Sequence, residues 1–564
     1  MANKILTPVT LWNDFDDSLP ANATVLDEQA DDKCVVRAIR FYGRAVGEER
    51  VNIFARVACP VEEGKYPALL ILPDCSLTAE MDILCRFAEL GYIALMPDYR
   101  GVWKGTDGYT VYPQAVSYAN LAMAERHIDY ADETAKETCW YEWTAVARYC
   151  LNFLASIPSV AKIGAIGIRA GGDIVWQLAA TCDKLSCAVP VCAGGWRAYR
   201  GINKYGDAPE LKMDDERYRY IAGVESQSYA PQVKCPLLML CSTNDEGFDA
   251  DRAFDTFLRI EGKQEKTFYF AARYGGHIGK TGVHDLDLFI RKHLKGREVF
   301  VPEPTDISIE EDTDGELIAR VRSDQNGEVT YSEVYMAEDT CESAMRDWSK
   351  CEFKRDDGED GRVFRLHACV GASRVFAFSK TKYSCGFAVS SRIAAKKLEK
   401  SYPNQTGRSR ILYCSEEGRA SFTLDRFTHH TLADCFLDGT LPAPPVRVEE
   451  GPCGIKGIYS PYGLRLYRIN DPRYRPGENA LLKFDIYCPK TATVQITIRA
   501  DKGRRAENYT CTLYLAGCDA WTDHVLGAKD FKTEESKPLA QLREAKYIAF
   551  YSEDVFYINN LLLL

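Results

Sequence analysis

Ile163–Asp173 reads IGAIGIRAGGD. The first six residues are apolar or glycine, as in a short strand buried on both faces. The following GGDIVWQLAATC has the apolar spacing of a helix. Between them lies the frame G-x-R-x-G: Gly167, Ile168, Arg169, Ala170, Gly171. Glycines on both sides of one residue, at a strand-to-helix junction, predict a tight turn that lifts residue 169 off the end of the strand.

Working outward, the same alternation of strand and helix runs to about residue 299. Upstream, YPALLILPD is a continuous apolar strand, AEMDILCRFAELG a helix with a glycine stop, YIALMPDYRG a strand and its loop, and WYEWTAVARYCLNFLASIP a long helix. Downstream come strands LSCAVPVCAG and CPLLMLCS, helix DADRAFDTFLRIE, strand KTFYFAA and helix TGVHDLDLFIRKHLKG. Such an order predicts an α/β domain over 1–299 with a doubly wound, mainly parallel sheet. Residues 300–396 carry only short strand patterns, among them DISIEE, LIARVRS and RVFAFSKT, which predict a small immunoglobulin-like β-sandwich. In 397–564, LLKFDIY and VQITIRA alternate, with Leu482, Phe484 and Ile486 on one face and Val494, Ile496 and Ile498 on another. A second all-β sandwich is expected there, and INNLLLL reads as its final strand.

Length and composition bound the function. A chain of 564 residues holds three or four domains. Net charge is −11, with acids and bases interspersed and no basic stripe, which argues against a nucleic-acid partner. No apolar run approaches the ~20 residues of a membrane span. The start MANKILTPVTLWNDFDD lacks an export-signal pattern. The 21 cysteines show no C-x-x-C pair or zinc spacing and many sit in apolar runs. Reduced thiols in a cytoplasmic protein, with no metal and no cofactor, are expected.

Residues ~35–298 resemble the α/β-hydrolases of the acetyl xylan esterase, cephalosporin-C deacetylase and dienelactone hydrolase kind. The resemblance rests on strand order, on GYIALMPDYRG and on the glycine-flanked turn. It implies a nucleophile elbow G-x-S-x-G with a Ser, Asp, His triad in chain order. The strand CPLLMLCSTND ends in Asp245, the implied acid, with Glu246 and Asp249 as alternatives; KTFYFAARYGGH ends in His277, the implied base. At the nucleophile position stands Arg169. A guanidinium offers only donors and no lone pair for attack. A displaced nucleophile would have to be Cys75, Ser76, Cys241 or Ser242.

The implied oxyanion loop also departs from the pattern. Where relatives carry a small-residue run, this chain has Pro73, Asp74 and Cys75. Proline has no N–H, and Asp74 brings a carboxylate to a place built for an anion. Ala170 would supply the second oxyanion amide. Arg169 is therefore expected to pair with a carboxylate, Asp74 first and Asp245 second. The ending WTDHVLGAKDF…LREAKYIAFYSEDVFYINNLLL resembles the closing strands of galactose-binding-like jelly rolls, modules found beside carbohydrate esterases. The C-terminal region offers Tyr459, Tyr462, Tyr467, Tyr474 and Trp521 as sugar-stacking candidates, against a reading in which they only pack. Together these expectations describe a catalytically impaired pseudo-esterase with a ligand-binding or scaffolding role. The ligand class is a small anion or a carbohydrate. The alternative is an active esterase or deacetylase using a non-standard nucleophile.

Overall fold

The computed structural model describes residues 5–18, 22–78, 80–103, 105–106, 108–206, 213–273, 275, 278–419, 421–425, 446–502 and 505–564. Its largest sheet contains β1 (Thr24–Ala30), β2 (Cys34–Val46), β3 (Glu49–Pro60), β4 (Tyr66–Leu72), β5 (Ile93–Asp98), β6 (Val160–Ile168), β7 (Leu185–Val191), β8 (Leu237–Ser242) and β9 (Lys266–Ala271). They lie in the order β1-β2-β3-β5-β4-β6-β7-β8-β9. Pairings from β5 through β9 are parallel, whereas β1, β2 and β3 join antiparallel at one edge. The apolar runs in β4 and β8 are buried along almost their whole length, which is why they show no alternation. Strand β1 left no apolar signal because all seven of its residues are exposed.

Eight α-helices are described: α1 (Pro8–Trp12), α2 (Met81–Glu89), α3 (Cys139–Ser156), α4 (Ala170–Thr181), α5 (Asp215–Gly223), α6 (Ser226–Tyr229), α7 (Ala250–Leu258) and α8 (Gly279–Lys295). Helices α2 and α8 cover one face of the sheet, and α3 and α4 the other. The loops that follow β4, β6 and β8 therefore meet at the carboxyl edge, where an open α/β sheet places its ligands.

Beyond residue 300 the described structure is almost entirely antiparallel. Strands β10 (Asp306–Glu311), β11 (Leu317–Arg322), β12 (Val329–Glu338), β13 (Ser349–Lys350), β14 (Glu352–Asp356), β15 (Arg362–Arg365), β16 (Arg374–Tyr383), β17 (Ala388–Ser390) and β18 (Ala394–Lys397) form a four-stranded and a five-stranded sheet. The charged stretch KRDDGEDGR makes the hairpin between β14 and β15. The five-stranded sheet shares its core with the α/β unit. Phe270 of β9 meets Phe378 of β16 edge-on at 5.5 Å, and the Phe270 amide donates to Ser390 Oγ. Aromatics on both sides of this seam bury against each other and join the α/β core, while a second core that includes Ile307, Val334, Phe364 and Val375 lies within the strands β10–β18.

Strands β19 (Ile411–Tyr413), β20 (Thr423–Leu424), β21 (Arg447–Glu450), β22 (Lys456–Tyr459), β23 (Leu464–Leu466), β24 (Leu482–Tyr487), β25 (Ala492–Lys502), β26 (Arg505–Leu515), β27 (Thr522–Leu526), β28 (Ala545–Tyr551) and β29 (Tyr557–Leu563) form a further six-stranded and five-stranded sheet. Leu482, Phe484, Ile486, Val494, Ile496 and Ile498 are all buried between these sheets, as their alternation predicts. INNLLL lies within β29. No described helix is long and apolar enough to cross a membrane.

Candidate functional site

Arg169 stands alone between β6 and α4 with φ 49°, a left-handed conformation that a bulky residue rarely adopts. Its surroundings impose that strain. A Cβ on Gly167 would lie 2.2 Å from the Gly171 carbonyl oxygen, one on Gly171 2.1 Å from that of Leu72, and one on Gly172 2.5 Å from Ala193 Cβ. The three glycines let the turn press against the ends of β4 and β7, and residue 169 has to absorb the reversal.

The Arg169 side chain crosses to the loop after β8. Its Nη2 donates to Asp245 Oδ1 at 2.6 Å and its Nε to Asp245 Oδ2 at 3.2 Å, a two-pronged ion pair. Asp245 is buried, and its Oδ1 also accepts from the Gly247 amide at 2.8 Å. The expected first choice, Asp74, is not the partner in this pair. Asp74 Oδ1 instead accepts from the Cys75 amide at 2.9 Å and faces the Ala170 amide at 3.3 Å, and its Oδ2 accepts from Ser76 Oγ. The reason is local. An acid at the N-terminus of α4 satisfies an orphan helix amide and meets the positive end of the helix dipole. That position turns its oxygens toward the backbone, leaving Asp245 to meet the guanidinium.

The other candidates are spoken for. Cys241 and Ser242 lie fully buried within β8. Burial, with the Asp74 charge adding to it, pushes the Cys75 thiol up to about 12, so it stays protonated at neutral pH. Asp249 caps α7 and pairs with Arg252 at 2.5 Å. Glu246 pairs with Arg465 Nη1 at 2.8 Å and with Arg499. His277 lies outside the described residues. Arg169, Asp245, Asp74, Cys75 and Ala170 are thus brought together.

Two arrangements were not legible in the sequence. Behind the turn, Asp173 of α4 binds Arg197 at 2.9 Å and accepts from Ser226 Oγ at 2.7 Å, while Glu225 accepts from the amides of Ala198 and Arg197. Burial pushes the Glu225 carboxyl up to about 7, and the Asp173 charge adds to the rise. In front of the turn, three successive residues hold three regions of the chain. Asn244 Nδ2 donates to the carbonyls of Ala344 and Arg346, each at 2.9 Å; Asp245 holds Arg169; Glu246 holds Arg465 of β23 and Arg499 of β25. Close by, Arg346 forms a fully buried pair with Asp251 of α7 at 2.5 Å. Of the aromatic candidates, Tyr467 is buried, and Trp521 packs on Tyr487 and against Gly457.

Residues 53–271 match the model of the Dienelactone hydrolase family. Acetyl xylan esterase 1 from Thermoanaerobacterium sp. JW/SL YS485 is 18% identical with a TM-score of 0.38, covering 50% of this chain and 90% of that one. The acetyl xylan esterase from Paenibacillus sp. R4 is 17% identical with a TM-score of 0.39, covering 51% and 92%. The acylaminoacyl peptidase from Pyrococcus horikoshii is 14% identical with a TM-score of 0.35, covering 50% and 51%. No curated protein matches the chain significantly. The family match and the sheet order together identify an α/β-hydrolase fold in this segment.

Proposed function

We propose, taking that fold as the premise, that this chain is a catalytically silent relative of carbohydrate esterases and that its former active-site edge now joins the regions of the molecule. The single observation that carries this reading is the Arg169–Asp245 ion pair. On this reading residue 169 stands in the nucleophile position and Asp245 in that of the triad acid. A triad acid works by orienting the histidine, and here both its oxygens face a guanidinium instead. The oxyanion amides are occupied as well. In this fold they come from the residue after the nucleophile and from the loop after the strand equivalent to β4. Here those are the amides of Ala170 and Cys75, both turned to the Asp74 carboxyl. A substrate oxyanion arriving there would meet a negative charge.

On this reading the strands β10–β18 serve as an immunoglobulin-like sandwich and β19–β29 as a jelly roll, each built from two facing antiparallel sheets. The ion pairs from Glu246 support a scaffolding role over a ligand-binding one, because the edge that would receive a ligand binds Arg465 and Arg499. A cytoplasmic location belongs to the same proposal. Against the active-esterase alternative, Cys241 and Ser242 are sealed in the sheet, Cys75 is a neutral thiol, and the exposed Ser76 donates its hydroxyl to Asp74 Oδ2.

Activity-based labelling tests the proposal. The intact protein is treated with a fluorophosphonate and, separately, with iodoacetamide at pH 7. No fluorophosphonate adduct and no fast-reacting thiol at Cys75 are expected. A stoichiometric adduct on any serine, or rapid alkylation of Cys75, contradicts it.

A further inference from the structure

On the sheet face opposite α3 and α4, away from Arg169, helices α2 and α8 enclose a groove of about 280 Å³. Its floor is apolar. Ile83 and Phe87 of α2 and Ile290 of α8 are buried beneath it. Its rim carries the cations Arg86, Lys280 and Arg291, with His284 beside them, against one acid, Asp287. Asp287 is already taken, because Arg291 Nε donates to it at 2.8 Å. Arg86 and Lys280 have no ion-pair partner among the described residues. A concentration of unpaired cations is not the background of this chain, whose net charge is −11.

We propose that the α2–α8 groove binds a medium-chain fatty acid. The alkyl chain lies on the apolar floor and the carboxylate sits among Arg86, Lys280 and His284. The choice follows from charge and size together. Cations without acids call for an anion, and an apolar floor calls for a ligand with a hydrocarbon body. Along α2 the groove runs from Ile83 to Leu90. At ~1.5 Å per residue that is roughly 10 Å, the span of a medium-length alkyl chain rather than a long one. The site lies on a different face from Arg169 and Asp245, so it stands independently of the silent-hydrolase reading.

Isothermal titration calorimetry with sodium decanoate, below its micellar range at pH 7 and low salt, tests the inference on the full chain. Saturable one-to-one binding is expected, at least tenfold weaker in Arg86→Glu/Lys280→Glu, with butyrate giving no detectable heat. Neither side chain is in the buried core, and circular dichroism checks the fold. If the double reversal does not fold, Arg86→Gln/Lys280→Gln is read in its place, again with weakened binding expected. Absence of saturable decanoate binding overturns the proposal. So does binding unchanged by the charge variants, or butyrate binding as tightly as decanoate.

Discussion

The guanidinium of Arg169 lies on the carboxylate of Asp245 through two hydrogen bonds, with the acid buried and the base only partly covered. An ion pair of this kind is costly to make and more costly to break from one side, since removing one partner strands the other charge. Asp245→Asn should therefore destabilise the protein by about 2–4 kcal/mol, somewhat below the fully buried case because Arg169 retains some solvent contact. Arg169→Met on the same background should recover part of that loss. Urea denaturation of the two single variants and the double variant measures both effects. Purely additive losses would show that the two side chains are not coupled.

The ion pairs from Glu246 are of another type. Glu246 is itself exposed enough for water and salt to reach it. Such pairs contribute ~0.2–1 kcal/mol and are screened by salt. Glu246→Gln should lower stability by no more than about 1 kcal/mol at low ionic strength, and the difference should shrink in 1 M NaCl. Thermal denaturation at the two salt concentrations checks this. A salt-independent loss of several kcal/mol would mean that the joint depends on packing around Glu246 rather than on its charge.

How much of this was legible in the sequence depends on the distance over which each interaction acts. Runs such as YPALLIL announce themselves because a parallel strand is covered on both faces along its whole length. The glycines at 167, 171 and 172 mark the turn because no other residue fits there. The need for a carboxylate beside Arg169 was legible too, since a partly buried guanidinium requires one. Its identity was not. Asp74 and Asp245 are equally acidic in the sequence, and only the folded backbone shows that Asp74 is claimed by the amides of Cys75 and Ala170. The group of Asp173, Arg197 and Glu225 spans some fifty residues with no local pattern, and the seam between Phe270 and Phe378 joins residues 108 apart.

Glu225 also predicts a pH dependence. Its carboxyl is raised from 4.5 to about 7 in the folded protein, chiefly by burial. Between those values the folded state holds a proton that the unfolded state has lost, so stability falls as pH rises through this window. A shift of this size corresponds to roughly 3 kcal/mol. Denaturation across pH 4.5–8 should show wild type losing stability relative to Glu225→Gln as pH increases. A constant difference between the two proteins would show that the carboxyl is not protonated by folding.

On the proposed reading Asp74, Asp245 and Arg169 silence the hydrolase edge, and hydrolysis of p-nitrophenyl acetate reports whether they do. Wild type should not exceed the buffer rate. Arg169→Ser alone should gain little, because Asp74 still occupies the oxyanion amides; losing one such stabilising group costs about 10²–10³ in rate. Arg169→Ser/Asp74→Gly should turn over measurably, with the gain lost in a triple variant carrying Asp245→Ala. Turnover by wild type that persists in Asp245→Ala would contradict that reading.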